Sequence, residues 1–135
     1  MLLLKPGLAA SKTTAITGPV KVGDLKSFTK EGLDDRFLKD GFFLVRSKDR
    51  IYALSAFCTH QTDSRLSSKA GAEVIICPNH NSLFALDGTV IRGPARRDLS
   101  RFAITADAKG QLTVDTSKPI GPDKIDDEPA FVKVG

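Results

Sequence analysis

Four residues of this chain can hold a soft or borderline metal, and they fall in two matched pairs. Cys58 and His60 form the first pair, and Cys77 and His80 the second, so the pattern reads C-x-H-x16-C-x-x-H. The chain has 2 cysteines and 2 histidines, and the pattern uses all of them. Thiolate and imidazole are the side chains that best suit iron, zinc and copper. Isolated cysteines are usually small buried apolar residues, but that does not explain a pairing that takes up every Cys and His at once. Each pair also runs Cys then His. Two loops that each give one sulfur and one nitrogen can clamp a two-metal centre, with the sulfurs on one metal and the nitrogens on the other. A single four-ligand zinc site is the competing chemistry, although such sites usually place two Cys in one pair and two His in the other.

The sixteen residues between the pairs leave room for a strand, a turn and a returning strand, so both loops can start where strands stop. Phe42–Arg46 and Ile51–Ser55 read as a hairpin turned at 48–50, and the second strand runs straight into Cys58. A turn at 67–71 precedes a strand over Glu73–Ile76, which enters the second pair. Leu83–Leu86 leaves it and turns at Asp87-Gly88. Phe102–Thr105 and Gln111–Asp115 predict another hairpin, 117–130 a loop rich in Pro and Asp, and Phe131–Val134 a closing strand. Val20–Val22 opens the domain, with one helical turn around Leu25–Phe28. The expected fold is therefore all-β. Strands from both ends of the chain form an antiparallel β-sandwich base, and residues 56–96 form a smaller inserted lobe that holds the metal. Residues 1–19 read as an N-terminal arm and 20–135 as one domain.

Composition agrees. With 135 residues, 41% hydrophobic and 27% charged, the chain can bury a core and is not disordered. The 11 glycines and 7 prolines suit short strands and turns. A net charge of +4 without an aromatic-rich basic motif does not point to nucleic acid. Met1-Leu2-Leu3-Leu4 is cut by Lys5 and Pro6, too short for a membrane span or a signal peptide.

The residues around the pairs carry a family resemblance. Cys58-Thr59-His60 and Cys77-Pro78-Asn79-His80-Asn81-Ser82 resemble the two cluster-binding loops of Rieske [2Fe–2S] proteins, above all the soluble head of the iron–sulfur subunit in cytochrome bc-type complexes. There the loops usually read C-T-H-x-x-C and C-P-C-H-G-S-x-Y. Gly41–Arg46, Ile51–Ser55, Gly93-Pro94-Ala95 as a third loop over the cluster, and Val114–Thr116 extend the likeness across roughly 20–134. The resemblance implies a [2Fe–2S] cluster bound by Cys58, His60, Cys77 and His80, with the Ser82 hydroxyl donating to a cluster sulfur. It implies one-electron transfer, coupled to proton uptake at the outward nitrogens of the histidines. It also implies a redox partner, either cytochrome b and c subunits with quinol or the large subunit of another oxidoreductase. A bc-type head would work at the periplasmic face of the inner membrane, and a ferredoxin in the cytoplasm.

Three departures stand out. Asp63 and Asn79 occupy the places of a second cysteine pair that bridges the loops in the bc-type pattern, leaving at best a polar contact between them. Phe84 stands where the pattern has Tyr, and Gln61 where an apolar residue often sits. These bring the chain nearer to Rieske ferredoxins and to small Rieske subunits of oxygenases or arsenite-oxidase-like molybdenum enzymes. Arg92, Arg96, Arg97 and Arg101 crowd the third loop, where they could steer an acidic partner.

Overall fold

The computed structural model describes residues 18–60 and 64–134. Gln61 and Asp63, and nearly all of the expected arm, lie outside them. The described residues form ten strands: β1 (Pro19–Asp24), β2 (Gly32–Asp34), β3 (Phe42–Ser47), β4 (Arg50–Ser55), β5 (Val74–Ile76), β6 (Leu83–Ala85), β7 (Val90–Arg92), β8 (Arg101–Ala106), β9 (Gln111–Ile120) and β10 (Val132–Lys133). The remaining regular pieces are single 3-10 turns, one of them Leu25–Ser27, where the Asp24 side chain caps the Lys26 N–H at 2.8 Å. The fold is all-β, and every strand pair is antiparallel.

A seven-stranded sheet in the order β1-β9-β8-β4-β3-β2, with β10 on β4, draws its strands from before residue 56 and after residue 100. A separate three-stranded sheet, β5-β6-β7, lies between them in the chain. The hairpin β3–β4 explains how the two are joined. Its residues are buried on both faces, so the run reads as continuously apolar. Because side chains alternate along a strand, Phe42, Leu44, Ile51 and Ala53 enter one core with Val22, Ile104, Leu112 and Val114. Phe43, Val45, Tyr52 and Leu54 enter the other, which they share with Cys58, Leu66, Ile75, Cys77, Phe84, Ala95 and Leu99. Both cysteines are thus rooted in a core that runs from the large sheet into the small one.

The contact between the sheets is close at the β6–β7 turn. Gly88 has φ +94°, and a Cβ there would stand 3.1 Å from Leu54 Cδ2 and 3.4 Å from Leu99 Cβ. A side chain there would be strained by the left-handed backbone and would press on Leu54.

Three local expectations need correction. The strand starting at Gln111 does not end at Asp115 but runs to Ile120, inside the expected loop 117–130. The register shifts between Phe102 and Ala103, which pair with Pro119 and Asp115, so 116–118 bulge and Pro119 sits where a missing N–H is tolerated. The short strands β2 and β7 were not expected at all. The opening strand begins at Pro19, already paired with Asp115. Among the described residues no helix is long and apolar enough to cross a membrane.

Candidate metal centre

The first ligand loop leaves β4 and is closed by a short ladder of backbone bonds. Leu66 N–H donates to the Ala56 carbonyl at 2.8 Å, and Cys58 N–H to the Ser64 carbonyl at 3.0 Å. The second loop leaves β5 and is tighter. Cys77 N–H donates to the Ser82 carbonyl at 2.9 Å, and Asn81 N–H to the Cys77 carbonyl at 2.7 Å. Asn81 takes φ 63°, the left-handed conformation that Asn tolerates better than most residues, at the position where the bc-type pattern has Gly. The stems of the two loops are bonded to each other, since Ser67 and Ile76 exchange both backbone hydrogen bonds at 2.8 and 3.0 Å.

This arrangement sorts the four donor side chains by element. The Cys58 and Cys77 thiols are free and 0% and 1% exposed. His60 and His80 are exposed, with their rings 5.1 Å apart and perpendicular. His60 N–H also points at Cys58 Sγ, 3.4 Å away. Sulfur lies inside and nitrogen outside, on two loops held side by side. Among the described residues no three His, Cys, Asp or Glu side chains gather around one point. The donor set fits a two-metal cluster with a buried sulfur end and a surface nitrogen end. The larger cavity, about 1010 Å³, lies elsewhere, between β2, β3 and residues 70–73. A smaller one of about 190 Å³ touches Cys58, Thr59 and Arg97.

A third loop, 93–97, covers this end of the lobe. Thr59 Oγ1 donates to the Arg97 carbonyl at 2.7 Å, and Ala95 N–H donates to Ser82 Oγ at 2.9 Å. The fully buried Ser82 oxygen therefore accepts from the third loop and keeps its own hydrogen to donate. Phe84 is 0% exposed and shares the core of both cysteines.

The structure adds one side-chain partner and corrects one expectation. Asn79 Nδ2 donates to Ser64 Oγ at 2.6 Å, across the two loops, while the expected contact with Asp63 lies outside the described residues. Nothing in the sequence singled out Ser64. Arg101 does not belong with the exposed arginines. It is 3% exposed, its guanidinium stacks 3.7 Å from the Tyr52 ring centre, and it donates to the Asp87 carbonyl at 3.4 Å. Burial pulls its pKa below the usual guanidinium value. Arg92, Arg96 and Arg97 are exposed, and Arg92 donates to the Asn81 carbonyl at 3.1 and 3.3 Å.

An antiparallel β-protein that sets two buried thiols and two exposed imidazoles on adjoining loops offers a mixed thiolate–imidazole donor set. Residues 18–103 match the Rieske [2Fe–2S] domain, and the chain belongs to that family. The cytochrome b6-f complex iron-sulfur subunit of Synechococcus sp. (strain JA-3-3Ab) is 33% identical over 100 residues, 69% of this chain and 56% of that protein. The cytochrome bc1 complex Rieske iron-sulfur subunit of Corynebacterium efficiens is 40% identical over 75 residues, 53% of this chain and 18% of that protein. The chain thus spans little more than half the length of the first of these. The crystal structure of the cyanobacterial plasma membrane Rieske protein from Synechocystis PCC 6803 superposes with a TM-score of 0.51 at 27% identity, over 71% of this chain and 98% of that one. A chain from the complex of reduced oxygenase and oxidized ferredoxin in carbazole 1,9a-dioxygenase shares the fold, with a TM-score of 0.50 at 24% identity, over 76% of this chain and 96% of that one. The family implies a [2Fe–2S] cluster as cofactor, and the chemistry is one-electron transfer through it.

Proposed function

We propose that Cys58 and Cys77 hold one iron through thiolates and that His60 and His80 hold the other through imidazole nitrogens. In this reading 56–96 is the cluster-binding lobe, and the chain is the iron–sulfur subunit of a quinol-oxidising cytochrome bc-type complex. The observation that carries the ligand assignment is the split of the donor set, with two thiols fully buried and two imidazoles exposed 5.1 Å apart. The names of the b6-f and bc1 relatives support the choice of complex.

When bound, the cluster stores and releases one electron at a potential raised by its neutral histidine ligands. The protein's share of the work is placement. Buried thiols keep water from the sulfur end, and Ser82 is oriented by Ala95 to donate toward it. The exposed imidazole edges give the electron a short path to a docked partner. The backbone bonds between Ser67 and Ile76 hold the loops at a fixed separation.

A second reading, a soluble ferredoxin or a small subunit of an oxygenase or molybdenum enzyme, is favoured by one observation. The chain's 2 cysteines are both free, so no covalent bridge joins the loops as in the bc-type pattern.

Iron and sulfide analysis with electron paramagnetic resonance of the anaerobically purified chain tests the centre. Cys58→Ser and Cys77→Ser should abolish the signal, because a serine oxygen is a poor soft-metal ligand. His60→Cys and His80→Cys should keep iron at a lowered potential, because thiolate replaces a neutral ligand. A native spectrum and potential in either serine variant would refute the assignment. Haem b and haem c bound to the complex isolated from native membranes would support the bc-type reading, and molybdenum in their place would support the other.

A further inference from the structure

The end of the lobe that carries the two imidazoles also carries three arginines, and the outer two bond to residues flanking the histidines, Arg92 through its guanidinium and Arg97 through its backbone carbonyl. Arg92 places its guanidinium on the Asn81 carbonyl, next to His80. Arg97 accepts at its carbonyl the hydroxyl of Thr59, next to His60, at 2.7 Å. Arg96 lies between them on the same covering loop, and all three side chains are exposed. None of the three forms an ion pair among the described residues, whose ion pairs are Arg36–Asp34, Arg50–Asp126 and Lys118–Asp115. From Asn79 to Asp98 the acidic residues are Asp87, in the turn at the opposite end of strand β6, and the half-buried Asp98, whose Oδ1 accepts the Val90 N–H at 2.9 Å. Apolar surface adjoins the charges, since Pro78 and Pro94 are exposed and Ile91 is 54% exposed.

We propose that this face docks an acidic redox protein, with Arg92, Arg96 and Arg97 steering its carboxylates and the exposed imidazoles meeting its redox centre. The inference rests on the cluster reading above and names the chemistry of the partner. Like charges gathered around an electron exit raise the encounter rate of an oppositely charged protein and lower that of a similarly charged one. The exposed guanidiniums of Arg96 and Arg97, which form no ion pair among the described residues, can meet a carboxylate. The covering loop is tied to both ligand loops by Thr59 and Ser82, so the backbone that carries Arg96 and Arg97 keeps a fixed position relative to the two loops. An apolar contact beside a charged rim is the surface of a short-lived protein complex.

The test is stopped-flow oxidation of the reduced, cluster-loaded full chain by two c-type cytochromes of matched potential, one with a carboxylate-rich haem edge and one with a lysine-rich one. At low salt the acidic acceptor should react about tenfold faster, and its rate should fall steeply with ionic strength. Arg96→Glu combined with Arg97→Glu should cut that rate at least about tenfold and reverse the preference. Lys21→Glu, on the edge strand β1, should leave both rates as they were. Equal rates with the two acceptors, indifference to salt, or indifference to the double reversal would overturn the proposal. Binding to anionic phospholipid vesicles that the reversal abolishes, without any acceptor preference, would give the face to a membrane surface and overturn it as well. Failure of the underlying cluster reading looks different, because such a protein would show no [2Fe–2S] spectrum and would oxidise with neither acceptor even at high salt.

Discussion

Asn79 Nδ2 donates to Ser64 Oγ at 2.6 Å, which links the tip of the second ligand loop to the end of the first. Ser64 is 5% exposed, so the bond is partly shielded from water. In the bc-type pattern the position of Asn79 carries a cysteine that bridges the loops. A loop-closing disulfide stabilises typically by about 2–4 kcal/mol, and a hydrogen bond by about 0.5–1.5 kcal/mol. The loops here depend on a weaker tie that a reductant cannot cut.

Cluster retention should report that tie. Asn79→Ala removes the donor and should speed loss of the visible absorption in the presence of a chelator about fivefold, the kinetic equivalent of roughly 1 kcal/mol. Thiol reductants should leave the wild-type rate unchanged. A rate in Asn79→Ala equal to that of wild type would show that the Ser67–Ile76 backbone bridge suffices alone.

Removing the metal should loosen the lobe and spare the base. Strands β5, β6 and β7 have three residues each, too few to hold a sheet without help from the core that contains both cysteines. The base has its own core around Phe42, Leu44, Ile104 and Val114, with no residue from the lobe. Hydrogen exchange on the apoprotein should show lost protection in 56–96 and retained protection in β3, β4, β8 and β9. Equal protection of the lobe with and without iron would count against this division.

Arg101 should matter for stability and not for docking. From the base, its Nη2 reaches the Asp87 carbonyl and the Tyr52 hydroxyl reaches the Leu86 carbonyl, so two neighbouring side chains grip the β6–β7 turn. Arg101→Ala removes a buried side chain and its stacking on Tyr52, at a cost of about 2–4 kcal/mol in urea unfolding. Combining it with Tyr52→Phe should cost less than the sum of the two single changes, because the partners share one contact. The salt dependence of electron transfer in Arg101→Gln should equal that of wild type. A flattened dependence would mean that this charge reaches the docking face after all.

The contrast between these arginines explains what the sequence could and could not show. The four ligand candidates were legible because two scarce residue types fall into one pattern. The hairpin β3–β4 was legible because eight of its residues in 42–45 and 51–54 are apolar or aromatic. Strands β2 and β7 were not, since β2 is Gly32-Leu33-Asp34, with a single apolar residue, and β7 runs directly into Gly93-Pro94. The far half of β9 was hidden by Ser117, Lys118 and Pro119, which read as a loop because a bulge and a cross-strand partner are facts of pairing and not of composition. Arg101 looked like Arg96 and Arg97 in a basic stretch. Its burial comes from β8, which sets it opposite Leu54 and over Tyr52. The Ser64–Asn79 bond joins residues 15 apart through loop closure alone, and no spacing rule announces it.

The reduction potential should depend on two positions that lie in or against the core of the cysteines. Ser82 Oγ is oriented by the Ala95 N–H, which leaves its hydrogen free to donate toward the sulfur end. Phe84 is 0% exposed within the same core and offers no donor where the bc-type pattern has a tyrosine hydroxyl. Hydrogen bonds to sulfur withdraw electron density and favour the reduced state, so each one raises the potential. With one of two donors present, the potential should lie inside the Rieske range of roughly −150 to +300 mV and below its top. Phe84→Tyr should raise it. Ser82→Ala should lower it, and should also destabilise the covering loop, because the buried Ala95 N–H loses its acceptor. Protein-film voltammetry on the three proteins separates the effects, since a loop defect alone would shorten cluster lifetime without moving the midpoint. An unchanged midpoint in Phe84→Tyr, with the cluster intact, would place this ring out of reach of the sulfur ligands.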